Sequence, residues 1–282
     1  MTILVLGATG KTGRRVVPSL DALGVDHRAV SRRTEIRFDW SDRSTWAGAL
    51  EGATAVYLVP PALNLEAAEV AEFVPQAVEA GVRRIVLLSA RGIPADDGRE
   101  RAVRDSGVDW TVLRPTWFSQ NFSEDYFLPE ILAGEIVLPT GSKATNTNAT
   151  NSNYGPHPFI DAQDIADVAV AALTQDGHAG VTYELSGPEA LTFVDVVARV
   201  GEVSGRSVRI TDVPAADYTA MLVQGGIEDA YAEVLTMSLI AILDGHDAAL
   251  SDGVPSVLGR DGRLFGDYAK EAATAWAIPE RG

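Results

Sequence analysis

The chain has 282 residues, 46% hydrophobic and 22% charged, an ordinary globular composition with enough length to bury a full core. It contains no cysteine and four histidines, which excludes disulfides and thiolate chemistry and leaves little to hold a metal. A formal charge of −16 repels phosphate backbones and anionic lipid, so a small molecule is the expected partner rather than nucleic acid or membrane.

Short β-branched runs alternate with longer helical patterns, the mark of βαβ units and a parallel sheet. Strands are predicted near 2–6, 26–31, 35–39, 54–59, 84–89, 109–113 and 181–186. Helices are predicted near 11–23, 43–51, 64–80, 97–106, 118–133 and 162–175. Runs such as Ala55-Val56-Tyr57-Leu58-Val59 are apolar throughout, as strands covered on both faces are. After residue 186 come a helix at 192–204, a strand at 207–212, a largely helical stretch at 215–250 and a Gly-rich tail with a last helix near 266–276. Between Thr140 and Tyr154, ten of fifteen residues are Asn, Thr or Ser, the composition of a flexible loop. No apolar run reaches the ~20 residues of a membrane helix. The first run, Ile3 to Leu6, is too short for a signal segment, and a cytoplasmic location is expected.

Gly7-Ala8-Thr9-Gly10-Lys11-Thr12-Gly13 follows the first strand directly and opens a helix. Gly7 permits the sharp turn, Gly10 lets backbone approach a pyrophosphate, and Gly13 lets the helix pack on the strand. Free N–H groups at the helix mouth then face the phosphates. The expected fold is therefore α/β: a Rossmann-like doubly wound parallel sheet over 1–186, with a flexible insertion at 140–155. A smaller, mainly helical substrate lobe over 187–282 completes it.

Residues 1–37 hold seven basic side chains against three acids, +4 locally and −20 for the remainder. Solvated helix faces account for Arg14 and Arg15; a bound polyanion accounts for the cluster as a whole. At the end of the second strand an NAD site needs a carboxylate for the ribose hydroxyls, but the chain offers Ser31-Arg32-Arg33. Guanidinium forks suit a phosphate dianion, which predicts NADP(H) as cofactor, with Lys11 adding to the field. Asp39, with Trp40, is placed either to meet the adenine or to close a turn before Ser41. Pro60-Pro61 and Ser89-Ala90 sit at C-terminal strand edges, where open α/β sheets bind ligands, although the prolines also terminate a strand.

Several stretches resemble the NmrA-like atypical short-chain dehydrogenase/reductases, most closely the branch of ergot-alkaloid reductases and their bacterial relatives. They are Leu6 to Gly13, Arg37-Phe38-Asp39-Trp40, Val56 to Pro61, Val86 to Ala90, Trp110 to Phe118, Asn121-Phe122, Pro158-Phe159-Ile160 running into Asp164-Ile165-Ala166, and Ser186 to Thr192. The resemblance implies that Thr9 to Gly13 cradle the phosphates and that Arg32 and Arg33 sit near the 2′-phosphate. It implies that Val59 and Pro60 border the ribose and that Ser89, Pro115 and Thr116 border the nicotinamide. Pro61, Ala90, Trp117, Phe118 and Asn121 would begin the substrate pocket, core packing being the alternative for Trp117 and Phe118. The Asn/Thr-rich insertion departs from the family, as an inert insertion or a lid.

A second departure concerns catalysis. Ordinary short-chain dehydrogenases use Tyr-x-x-x-Lys for proton transfer. The only lysines are Lys11, Lys143 and Lys270, preceded at four residues by Gly7, Pro139 and Gly266. Hydride transfer survives this loss because the cofactor carries that step, but the acceptor is restricted. An iminium needs no proton and a quinone or enone yields a stabilised anion, whereas a simple ketone needs an acid. Tyr126, expected on the helix after Asn121, is the candidate acid or a mere pocket tyrosine. Asp96 and Asp97 read as N-terminal helix acids. The expected activity is an NADP(H)-dependent oxidoreductase; a non-catalytic NADP(H)-sensing protein is the alternative, and a sugar-nucleotide epimerase would usually need the missing pair.

Overall fold

The computed structural model describes residues 1–61, 67–140 and 154–277. Most of the Asn/Thr-rich insertion, Lys143 and the start of the helix predicted from 64 lie outside the described residues. In chain order the elements begin β1 (Ile3–Leu6), α1 (Gly13–Ala22), β2 (His27–Val30), a 3-10 turn (Arg43–Thr45) leading into α2 (Trp46–Leu50), β3 (Ala55–Leu58), α3 (Ala68–Glu79) and β4 (Arg84–Leu88). Next come α4 (Gly98–Arg104), β5 (Asp109–Pro115), a 3-10 turn (Ser119–Phe122), α5 (Leu128–Ala133), β6 (Glu135–Pro139), α6 (Ala162–Thr174) and β7 (Val181–Leu185). The chain finishes with α7 (Phe193–Ser204), β8 (Arg209–Val213), α8 (Ala215–Gln224), α9 (Asp229–Leu243), α10 (Gly253–Leu258), α11 (Phe265–Ala272) and a 3-10 turn (Ala273–Trp276).

One compact unit comprises residues 1–116, 162–186 and 251–262. Its parallel sheet runs β2-β1-β3-β4-β5-β7, the Rossmann-like doubly wound arrangement expected from the sequence. The strand order reverses between β1 and β3, which leaves a crevice at their carboxyl ends. Ile3 to Leu6 and Ala55 to Leu58 are buried throughout, because helices cover both faces. Leu4, Leu6, Val56, Leu58, Ile85 and Leu87 share a core with residues of α2, α3 and α4; α1 packs on α6. Phe38, Trp40, Trp46 and Phe73 interlock in this core, with ring centroids 5.0–6.3 Å apart and mostly edge to face. The Trp46 indole also donates to the carbonyl of Asp39 at 3.0 Å, so the cluster fixes the loop after β2 as well as the sheet.

The other unit comprises 117–161, 187–250 and 263–282. It holds the parallel pair β6-β8 and an aromatic core in which Phe122 lies 5.1–5.7 Å from Phe127, Phe159, Phe193 and Phe265. The Trp276 indole closes it by donating to the Phe122 carbonyl at 2.7 Å.

The structure corrects four expectations. No strand forms at 35–39: the Thr34 hydroxyl accepts from Ser31 N and donates back to backbone carbonyls, curling the chain, and only isolated bridges remain. The helix expected at 118–133 is broken, because Phe118 is extended and Ser119 N donates to the Ile160 carbonyl at 2.8 Å. Tyr126 therefore stands in the turn ahead of α5 rather than on a helix with Asn121. The tail at 251–282 carries an unexpected helix, α10, whereas 215–250 is largely helical as expected, as α8 and α9. Finally, the units are discontinuous instead of meeting once at 186, since β6 pairs with β8 far along the chain and 251–262 belongs with the first unit.

Trp46→Ala should cost about 3–5 kcal/mol in urea unfolding, the usual result of emptying a buried indole site, with the far-UV spectrum retained. A loss below about 1 kcal/mol would show that the cluster does not hold this edge of the sheet.

Candidate cofactor site and tyrosine cluster

The glycine turn is as tight as its sequence requires. Gly7 has φ +65°, a conformation that side chains disfavour. A Cβ on Gly13 would lie 2.3 Å from the Gly7 carbonyl oxygen and 2.8 Å from Ala8 Cα, and one on Gly10 would lie 3.1 Å from the same oxygen. Gly10 N donates to that oxygen at 2.8 Å, and Ala8 N donates to Val30 O at 3.0 Å, tying the turn to the end of β2. The Thr12 side chain makes no capping bond; the amides of Arg14 and Arg15 donate to the carbonyls of Gly10 and Thr12 at 3.1 and 2.9 Å, which winds the turn directly into α1. Such a cradle, admitting backbone but no side chain, fits a nucleotide diphosphate. Beneath it the Tyr57 hydroxyl is wholly buried without a hydrogen bond of good geometry, the Thr12 side chain being the polar group beside it. Burial pushes that phenol far above its ordinary range.

Beyond β2, the Ser31 hydroxyl accepts from Arg33 N at 3.1 Å, which fixes the turn that presents Arg32 and Arg33 to solvent. Among the described residues neither guanidinium has an ion-pair partner. Arg37 differs, being paired to Asp39 at 2.9 Å and Asp42 at 3.5 Å. Asp39 accepts from the hydroxyl and N–H of Ser41 and from Arg37, which hold its carboxyl below the usual range. It thus has the partners of a turn acid. The Trp40 indole donates to Val59 O at 3.1 Å, and Val59 in turn borders Gly7, its Cβ 3.5 Å from where a Gly7 Cβ would be. Trp40, Val59 and the glycine turn, separate in sequence, are therefore one contiguous surface; Pro60 and Pro61 follow Val59 without entering a helix or strand.

The ends of β4 and β5 carry a network that sequence reasoning missed. Ser89 Oγ donates to Glu100 Oε1 at 2.6 Å. Glu100 is fully buried and is held by Arg114 at 2.8 and 2.7 Å and by Arg104 at 2.7 Å. Arg114 also reaches Glu184 at 3.4 Å, which Arg91 approaches at 3.3 Å. Burial pushes the Glu100 carboxyl up, but the Arg114 and Ser89 bonds and the charges of Arg114 and Arg104 prevail and keep it below the usual range. Glu100 and Arg104 stand one turn apart on α4. Asp97 caps that helix by accepting from Arg99 N and Glu100 N, the role expected of it. Ala90 continues the backbone from Ser89, and Pro115 and Thr116 close β5, Thr116 N donating to Leu185 O at 2.9 Å.

In the second unit, Trp117 N donates to His157 Nε2 at 3.2 Å, and its ring meets Tyr126 edge-on at 6.1 Å. Phe118 precedes the 3-10 turn and Asn121 lies within it, its N donating to Phe118 O at 3.1 Å. Tyr126 belongs to a cluster with Tyr218 and Tyr231, beside which Glu130 is half-buried. Burial, then the Tyr231 charge, pushes the Tyr126 phenol up to about 12, the Tyr218 hydroxyl acting the other way. Burial pushes the Tyr218 phenol up further, with Tyr126 and Glu130 adding to it. The Glu130 carboxyl is pushed up to about 7 by burial, with Glu135 adding and the N–H of Val137 opposing. Among the described residues no group of three or more His, Asp or Glu could hold a metal, and no helix is long and apolar enough to cross a membrane.

A family model described as NAD(P)H-binding matches residues 7–176. The uncharacterized oxidoreductase YesF of Bacillus subtilis is 31% identical over 286 residues, covering 97% of this chain and 96% of its own. Festuclavine synthase I of Penicillium roqueforti is 31% identical over 299 residues, covering 98% and 100%. The NADPH-dependent quinone oxidoreductase QOR2 of Escherichia coli, solved with NADPH, superposes with a TM-score of 0.77 at 24% identity over 96% of this chain and 99% of that one, which shows a shared fold. With relatives matching over nearly all of its length and the glycine turn intact, the chain belongs to the NAD(P)H-binding family, and its relatives include oxidoreductases.

Proposed function

We propose that the chain is an NADP(H)-dependent reductase that delivers hydride to a small organic acceptor without a Tyr-x-x-x-Lys pair. The observation that carries the choice of NADP(H) is the exposed pair Arg32 and Arg33, without ion-pair partners among the described residues, on the unit that bears the glycine turn. A 2′-phosphate supplies the dianion this pair lacks, and no carboxylate stands at the end of β2 to receive a ribose diol. In this reading the amides of Thr9 to Gly13 hold the diphosphate, Trp40, Val59 and Pro60 border the adenosine ribose end, and Ser89, Pro115 and Thr116 border the nicotinamide.

Reduced pyridine nucleotide supplies the hydride when bound; the protein binds, orients and holds protons. Ser89 is a poor acid here, because its proton is already directed into Glu100. That favours acceptors needing little protonation, the iminium, quinone and enone classes; the quinone in the name of the Escherichia coli neighbour agrees with this class. Within the second unit, Trp117, Phe118, Asn121 and Tyr126 form the acceptor-binding wall, and Tyr126 is the proton donor for acceptors that end on oxygen. A phenol with its pKa near 12 stays protonated at working pH and can still neutralise a far more basic alkoxide.

Calorimetry on the Arg32→Ala/Arg33→Ala double variant should show NADPH affinity reduced about 10²-fold, the scale of a lost charge-assisted contact, with NADH affinity little changed. Equal losses for both nucleotides would overturn the assignment. Tyr126→Phe should lower kcat on a ketone or quinone about 10²-fold more than on an iminium. Equal effects on the two acceptor types would remove Tyr126 from proton transfer.

A further inference from the structure

The Glu100 network lies wholly within the unit that bears the glycine turn. Ser89 follows directly on β4, its N–H donating to the Leu113 carbonyl of β5 at 2.8 Å, at the carboxyl edge of the sheet where open α/β folds bind ligands. Its hydroxyl donates to Glu100 Oε1 at 2.6 Å, the length of a charge-assisted bond. That oxygen also accepts from Arg114 Nε at 2.8 Å, while Oε2 accepts from Arg114 and Arg104, each at 2.7 Å. A guanidinium only donates, so the buried carboxyl is ionised and only accepts. A serine has a single proton, and Glu100 holds it. Ser89 itself is partly exposed, and among the described residues no group donates to its Oγ. The hydroxyl therefore meets a ligand as an acceptor alone, where a free serine could turn its proton either way.

We propose that Ser89 accepts an N–H of the nicotinamide carboxamide, and that Glu100 is the positioning residue that fixes the serine for it. The proposal rests on the reading of Ser89 as bordering the nicotinamide. Of the groups at that end of the cofactor, ribose hydroxyls both donate and accept, so a serine of either polarity suits them. The carboxamide is different: its nitrogen only donates and its oxygen only accepts. An acceptor-only serine thus draws the nitrogen and turns the oxygen away, which selects one of the two orientations of the amide about its bond to the ring. Arg114 and Arg104 act one step further back, by keeping Glu100 ionised.

The experiment is calorimetry of the full chain and its Ser89→Ala variant with three oxidised nucleotides. They are NADP⁺, its acetylpyridine analogue, in which a methyl replaces the carboxamide nitrogen, and its nicotinic-acid analogue, which carries a carboxylate there. Ser89→Ala should weaken NADP⁺ about five- to tenfold, the fold-change of one hydrogen bond, and leave the acetylpyridine analogue within about twofold of the parent. Equal losses for those two would put the serine on another part of the nucleotide, and no loss for either would remove it from the site; both overturn the proposal. The nicotinic-acid analogue tests the polarity. A serine that cannot turn its proton outward gives nothing to a carboxylate, so Ser89→Ala should not weaken this analogue; a loss of about fivefold or more overturns the role of Glu100. In Glu100→Gln, whose amide nitrogen can itself donate to the serine, the proton is released. Ser89→Ala introduced on that background should then weaken the nicotinic-acid analogue, and absence of this reversal also overturns the role of Glu100. Should Glu100→Gln fail to fold, the sign of the Ser89→Ala effect in the parent decides alone. Parent protein that binds no NADP⁺ would sink the NADP(H) reading itself; parent protein that binds it, with equal losses in the variant, sinks only the carboxamide contact.

Discussion

The first unit depends on one steric fact: the turn between β1 and α1 has no room for a side chain at Gly13. Its Cα faces the Gly7 carbonyl so closely that a methyl group would sit 2.3 Å from the oxygen. Close approach of helix to strand is what brings the N-terminal end of α1 to the crevice where the strand order reverses. The same constraint reaches outward. Val59, at the end of β3, packs against Gly7, and Trp40 binds the Val59 carbonyl. Trp40 is itself locked among Phe38, Trp46 and Phe73. Core packing and cofactor geometry are thus the same set of contacts, and a change in one is felt in the other.

The Glu100 network ties α4 to the ends of β4 and β5. A fully buried carboxylate tolerates its position only because two guanidiniums and a hydroxyl saturate it. Ion pairs of this kind add little net stability, but removing one member leaves a buried charge uncompensated. For chemistry the consequence lies in direction. Ser89 is held as a donor to Glu100, so it presents lone pairs rather than a proton to anything else near it. Proton supply must come from other groups or from solvent, which restricts which acceptors can be reduced efficiently.

Much of this was legible in the sequence. Apolar runs such as Val56-Tyr57-Leu58 read as buried parallel strands and are, and the glycine spacing located the turn to the residue. The failures were local patterns overridden by specific bonds. Glu35-Ile36-Arg37-Phe38 alternates like a strand, yet Thr34 curls the backbone ahead of it and only Phe38 finds a buried place. Residues 118–133 have helical composition, but Phe118 pairs with Ile160, and that partner lies 42 positions away. Glu100 escaped notice because its partner Arg114, and Glu184 beyond it, are distant along the chain. Charge pairing at such separations has no sequence period to reveal it.

The uneven charge seen in the sequence gains a physical meaning from these contacts. Arg28 is used up on the carbonyls of Ala49 and Glu51, Arg15 on that of Lys11, and Arg37 on Asp39 and Asp42. What the basic segment offers a ligand is therefore concentrated at Arg32 and Arg33. A chain of net charge −16 repels an extended polyanion, whose many phosphates must all approach the acidic surface. A single nucleotide is different. Screening confines the general repulsion to about 8–10 Å at physiological salt, and within that distance, in the proposed reading, a 2′-phosphate would meet two guanidiniums and the diphosphate the backbone of the glycine turn. On that reading the acidity opposes an extended polyanion far more than a small phosphorylated cofactor, whose charge is compact.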